Sequence, residues 1–290
     1  MKKIILFLSI FFSIATLRAE QPPQITVVVD YFNRASGVNS KYKDMLRSAV
    51  LSAFTSSGRC KVIDAANERA LALSADVASA EVLPTLDNIR RDAMVEAGGN
   101  YLITGSVVNV GSDKDKTSEG KVYYTGIVNI SLNMVDLSTG NSVAAKEIRY
   151  SGIYAETGST SDQAIAATIG NVSGAVRSLI NEHFKVSTSI IQVEEVKKNR
   201  ARTVYINVGS SSGIKSGQLF TVYQVKNVAG NVARTEVGKL VAQDVQGAEV
   251  TLCKVSGNTC GELILQASND PERVVLEIVS GSQRTTFSLF

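Results

Sequence analysis

The residues able to do chemistry in this 290-residue chain fall into a few small sets. Asp30 follows the β-branched run Ile25-Thr-Val-Val-Val29, and Asn33, Arg34 and Asp64 are expected near it. Ligands of open α/β sheets gather at the carboxyl ends of strands, so these four make the best candidate pocket for a small ligand. The competing reading is helix capping and loop hydrogen bonds. His183 is the single histidine, beside Glu182 at the end of an amphipathic segment, where a cation complements a helix dipole. A triad built on it with Ser161 or Ser173 has no supporting spacing. Gly209-Ser-Ser-Ser-Gly213-Ile-Lys-Ser216 suggests a phosphate loop, but Ile214 separates glycine from lysine and a strand follows where a helix is required. One histidine and three scattered cysteines are too few for a zinc site. No catalytic set, metal or cofactor is expected.

The cysteines have a second use. Cys253 and Cys260 flank Lys254–Thr259, which reads as a hairpin tip. In an oxidising compartment they either bridge that hairpin or stay as two half-buried thiols, according to register. Cys60 is then the odd one and is expected to be buried.

The positioning elements follow from periodicity. Ile25–Val29 suits a central strand buried on both faces. Asp30–Asn39 reads as a loop. Tyr42, Met45, Leu46, Ala49, Val50, Ala53 and Phe54 recur at helical spacing from Ser40, and Ser57-Gly58 closes that helix. Lys61–Ile63 is a short strand. Helices are predicted over Asn67–Ala80 and Leu86–Ala97, with Pro84 between them. Strands Tyr101–Val110, Val122–Leu137 and Ser142–Tyr150 are separated by a charged turn, Gly111–Gly120, and a tight turn at Asp136–Asn141, where Gly140 and Asn141 supply positive backbone angles. Gly105 inside a strand points to a bulge or a close approach of backbone. Thr160-Ser161-Asp162 caps a helix with the stripe Ile165, Ile169, Val172, Val176, Leu179 and Ile180. Alternation followed by a meander makes an α+β or α/β unit: a mixed sheet with packed helices. Residues 186–201 are a polar linker or a joining strand. Beyond Ala201 no helical period survives. Five or six short strands then predict a small all-β, barrel-like domain, with Arg273–Val279 and Thr285–Phe290 as a terminal hairpin.

Met1-Lys-Lys3, the apolar run Ile4–Leu17 and Arg18-Ala19 read as a signal peptide over 1–19, too short for a comfortable membrane span. An uncleaved anchor is the alternative. No cysteine lies near the cut, so a lipid anchor is not expected. Three of the 30 basic residues lie in this leader, leaving 27 against 27 acidic residues. A neutral body has no electrostatic footprint for nucleic acid or anionic lipid. The domain expectation is 1–19 leader, 20–185 α/β domain, 186–201 junction and 202–290 β domain.

Four stretches in order carry a resemblance over about 25–184: Val27-Val28-Val29 with Asn33-Arg34; Ser56-Ser57-Gly58-Arg59 before Val62-Ile63-Asp64; Ala97–Val107; and Val135–Asn141. This region resembles the curli-secretion (CsgG) superfamily, which includes lipoprotein activators of penicillin-binding proteins. Residues 202–267, through Asn207-Val-Gly209, Gly213–Gly217, Leu219-Phe220, Val222-Tyr223 and Val237–Leu240, resemble the β module of the flagellar assembly protein T group. The resemblance implies work in secretion, appendage assembly or regulation of wall synthesis. Two departures count against a pore: there is no cysteine to lipidate, and Gly111–Gly120 and Ile153–Ser159 are short for membrane hairpins.

The expected function is that of an exported, non-enzymatic scaffold, periplasmic or associated with the outer membrane. Its partners are envelope proteins or copies of itself, through Tyr31, Phe32, Arg34, Lys215 and Tyr223. The alternatives are a periplasmic ligand-binding protein or enzyme at the Asp30 end of the sheet, and an outer-membrane pore subunit.

Overall fold

The computed structural model describes residues 25–67 and 84–283. The signal peptide, the helix expected over Asn67–Ala80 (past its first residue) and the segment Thr285–Phe290 lie outside the described residues. No helix among them is long and apolar enough to cross a membrane.

The first domain is a six-stranded sheet in the order β2-β1-β3-β4-β5, with β6 pairing β4. Its strands are β1 (Thr26–Arg34), β2 (Lys61–Asp64), β3 (Tyr101–Lys116), β4 (Val122–Asp136), β5 (Ser142–Tyr150) and β6 (Thr157–Gly158). β1 runs parallel to β2 and β3, while β3, β4 and β5 form an antiparallel meander. The expected mixed sheet is therefore present. Helices α1 (Ser40–Thr55) and α3 (Ser161–His183) cover one face, and α2 (Pro84–Glu96) covers the other. Val27 and Val29 pack toward α1 and α3, and Val28 packs with Ile63, Met94 and Leu137 on the opposite side. Burial on both faces is why β1 opens on an unbroken β-branched run. Leu46, Val50 and Phe54 of α1 are fully buried, each contributing about 2 kcal/mol of apolar burial. The whole predicted stripe of α3 is buried, and Thr160 caps its start, its side chain accepting from the Gln163 amide at 3.3 Å.

Three expectations are corrected here. Asp30–Asn39 is not all loop: β1 continues to Arg34 through a register shift between Val29 and Phe32, a bulge that breaks the apolar alternation. Gly111–Gly120 is not all turn: β3 and β4 stay paired out to Lys116 and Val122. Backbone pairing does not depend on apolar side chains at an exposed tip, so the charged run Asp113–Lys116 is strand. The length argument against a membrane hairpin therefore falls. The charge of this run still counts against a membrane hairpin, since the four successive charges Asp113–Lys116 put ionic groups on both faces. Gly140 has the expected positive φ of 76°, but Asn141 is not among the residues with positive φ. Gly105 lies opposite Phe32 in register, and a Cβ on it would sit 2.7 Å from the Phe32 ring, the close approach expected from a strand glycine.

The second domain is a curled seven-stranded sheet in the order β7-β13-β10-β11-β12-β9-β8. Its strands are β7 (Ser187–Thr188), β8 (Ile190–Val196), β9 (Ala201–Ile206), β10 (Gln218–Val228), β11 (Asn231–Val245), β12 (Thr251–Ser256) and β13 (Val275–Gln283). The two ends of this order, β7 and β8, are separated in sequence only by Ser189. One continuous segment thus pairs with β13 first and β9 next, drawing the sheet's edges together. Helix α4 (Asn258–Asn269) packs against β8, β9, β11, β12 and β13.

That helix corrects the all-β expectation. Gly257 takes φ 104° and α4 starts at Asn258, so Lys254–Thr259 is not a hairpin tip. The signal was present as Cys260 and Ile264, four residues apart and both buried. Cys253 lies on β12 and Cys260 on α4, and both are free, buried thiols with no bridge between them. Burial pushes the Cys253 thiol up to about 12 and the Cys260 thiol up to about 11. Cys60 is buried as expected and is likewise raised to about 11, chiefly by desolvation.

Candidate functional site

The end of the sheet singled out by Asp30 is occupied by the protein's own arginines. Asp30 is buried at the β1 bulge and pairs with Arg90 of α2. Asp64, at the end of β2, pairs with Arg47 of α1. Arg47 also donates through Nε to the Asp30 carbonyl at 2.8 Å and through Nη2 to the Val29 carbonyl at 3.1 Å. Asp30 Oδ1 accepts from the Tyr31 amide at 2.7 Å. Asp64 accepts from the Ala66 amide at 3.0 Å and the Asn67 side chain at 3.1 Å. The Arg47 and Arg90 guanidinium carbons lie 5.7 and 5.6 Å from the centre of the Tyr31 ring, which roofs the cluster. Two carboxylates and two guanidiniums thus pair under an aromatic lid, with the buried Nε of Arg90 left without a partner among the described residues. A buried pair of this kind resists the loss of either member, because the survivor is left uncompensated. Each carboxylate is engaged by an arginine of the protein itself.

Asn33 and Arg34 do not join the cluster. They lie further along β1, paired in register with Ser106 and Val107, and Arg34 Nη1 donates to the Val38 carbonyl at 2.5 Å, closing the turn before α1. Of the residues expected to meet a partner, Tyr31 is 39% exposed and Arg34 is exposed. Phe32 is only 4% exposed, held over Gly105 in the core, and so is not surface. Lys215 is exposed, and Tyr223 is half-buried on β10 between Glu236 and Glu277.

Arg47 and Arg90 were not singled out in the sequence. Each left a trace: Arg47 precedes Val50 by three positions and Arg90 precedes Met94 by four, so both flank an apolar stripe. Ile153 and Tyr154 were also passed over. They sit in a 3-10 turn between β5 and β6 and are 92% and 73% exposed.

A cleft of about 480 Å³ opens at the opposite end of the sheet, between Ile25, Tyr101 and the β4–β5 turn. Its carboxylate among the described residues, Asp136, accepts from the Ser138 hydroxyl at 2.6 Å and from the Ser138 and Thr139 amides at 2.8 and 3.0 Å, and the Ser138 hydroxyl chiefly holds its pKa below the usual value. That carboxylate builds a turn. Among the described residues no three His, Cys, Asp or Glu side chains gather as a metal would require.

The two domains meet at Arg59, which is 8% exposed. Its guanidinium donates to the Phe184 carbonyl at the end of α3 (3.1 Å), to Ser280 of β13 (3.5 Å) and to Gln218 of β10 (3.4 Å). Burial lowers its pKa. Beside it, Gly58 and Gly213 face each other, both with positive φ (67° and 68°), and a Cβ on Gly213 would collide with the Ser57 carbonyl.

No family model matches the chain, and no curated protein matches it. Solved structures do. The PelC dodecamer from Paraburkholderia phytofirmans matches at 14% identity over 52% of this chain and 89% of that one, with a TM-score of 0.29. Lipoprotein GNA1162 from Neisseria meningitidis matches at 11% identity over 55% and 99%, with a TM-score of 0.31. The LpoB C-terminal domain from Escherichia coli matches at 12% identity over 44% and 83%, with a TM-score of 0.28.

Proposed function

We propose that this chain is an exported, non-enzymatic scaffold of the cell envelope that works through protein–protein contacts. The observation that carries the reading is a contrast. The sheet end where a ligand would bind is filled by Asp30–Arg90 and Asp64–Arg47, while two large apolar side chains, Ile153 and Tyr154, stand bare at the sheet's edge. Exposed aromatic and aliphatic residues on a firm turn are what an interface anchors on. The leader-like first 19 residues and the balanced charge behind them support export and argue for neither nucleic acid nor anionic membrane as a partner. The resemblance to the curli-secretion superfamily suggests secretion, appendage assembly or wall synthesis as the process served.

The test is a photo-crosslinking residue placed at 153 or 154 in cells. Adducts of discrete mass, formed with an envelope protein or a second copy, are expected, and Ile153→Asp should abolish those trapped from 154 without lowering the unfolding temperature. An absence of adducts at both positions would overturn the reading.

A further inference from the structure

We propose that the seam between the two domains binds a phosphate-type oxyanion on Arg59, Arg177 and Lys215. The inference does not rest on the scaffold reading. A recess of about 40 Å³ lies where the end of α1, the last turns of α3 and the Gly213 turn meet. Among the described residues three cations line it and no carboxylate does. Arg59 is buried, and its acceptors among the described residues are all neutral and lie at 3.1–3.5 Å, long for bonds to a charged donor. The carbonyl ends of α1 and α3 offset part of that charge. Arg177 and Lys215 stand exposed at the rim, neither in an ion pair with a described residue. A buried guanidinium without a counter-ion among the described residues, beside two further cations, is a costly state that an anion relieves.

Size narrows the occupant. A water needs roughly 10–15 Å³ of such space, so the recess takes about three oxygens, the head of one oxyanion and not a nucleotide. Asn181 also lines the recess. An anion seated there touches both domains, so its effect is to fasten them.

The experiment is thermal unfolding of the full chain in inorganic phosphate against chloride at matched ionic strength. A saturable rise of about 3 °C or more is expected at ten times Kd. It should vanish in the Arg177→Ala/Lys215→Ala variant, whose changes are at exposed positions and whose circular dichroism should match the parent. Lys215→Glu, which brings a carboxylate to the rim, should raise the unfolding temperature in chloride and abolish the phosphate response. Glycerol phosphate separates the sources: a shift equal to that of phosphate assigns the end of a phosphomonoester, and no shift assigns the free ion. A parent protein without a saturable response, or a double variant that responds like the parent, overturns the proposal.

Discussion

At the residue scale, the charges around Asp30 are structural. Asp30→Ala removes the partner of Arg90 and the acceptor of the Tyr31 amide together. The Arg90 side chain is only 17% exposed, so water compensates it poorly. We expect a loss of about 3 kcal/mol, measured as a lowered urea midpoint at unchanged slope. The same variant bears on the ligand alternative. A screen of envelope metabolites by thermal shift should reveal no compound whose effect depends on Asp30. The sequence showed the carboxylates and their position at the strand end. It hid their use, because the arginines that consume them arrive from α1 and α2, 17 and 60 positions away from Asp30. Phe32 was misjudged for a related reason: Asp30–Asn39 was read as loop, and the bulge between Val29 and Phe32 breaks the alternation that would have shown the strand continuing.

At the element scale, α1 and α3 are clasped at their N-terminal ends by Tyr42, Lys41 and Asp162. Tyr42 Oη donates to Asp162 at 2.5 Å and Lys41 Nζ donates at 3.0 Å. The Tyr42 hydrogen bond, then Lys41, hold the Asp162 carboxyl below its usual range, and the same bond to Asp162 raises the Tyr42 phenol. The carboxylate's folded pKa lies below its unfolded value, so its contribution is complete above about pH 4 and is lost as pH falls through the folded value. The phenol's folded pKa lies above its unfolded value, so its contribution is complete below about pH 10 and is lost as pH rises through the folded value. Tyr42→Phe should make both the acid and the alkaline limb shallower in urea midpoints taken across pH. The elements themselves were legible where a face is buried. The stripe of α3 and the triple valine of β1 write their surroundings into the chain. Legibility failed where solvent or a distant surface decides. The exposed tip of β3–β4 has no apolar period to read. α4 opens on Gly257-Asn258-Thr259, residues that suit a turn equally well, and is fixed as a helix by the strands that receive Cys260 and Ile264.

At the scale of the whole molecule, the two domains are tied through a contact that tolerates no side chain. Gly213→Ala forces a methyl group onto the Ser57 carbonyl at a positive φ. We expect about 2–3 kcal/mol of destabilisation. Calorimetry should then resolve two unfolding steps in place of one, since the clash parts the domains without entering either core. Sequence reading placed the glycine in a glycine- and serine-rich stretch that leads into a strand. That this stretch faces Gly58 in the other domain depends on tertiary docking, which no local pattern encodes.

The segment Ser187–Val196 acts as the stave that shuts a cask. Because its first half rests on β13 and its second on β9, a fragment cut to begin at Ala201 would carry the remaining strands with two raw edges and no stave between them. Such edges recruit strands from neighbouring molecules. Anyone dissecting this protein should make the cut next to Lys185, just before the chain enters its own closure.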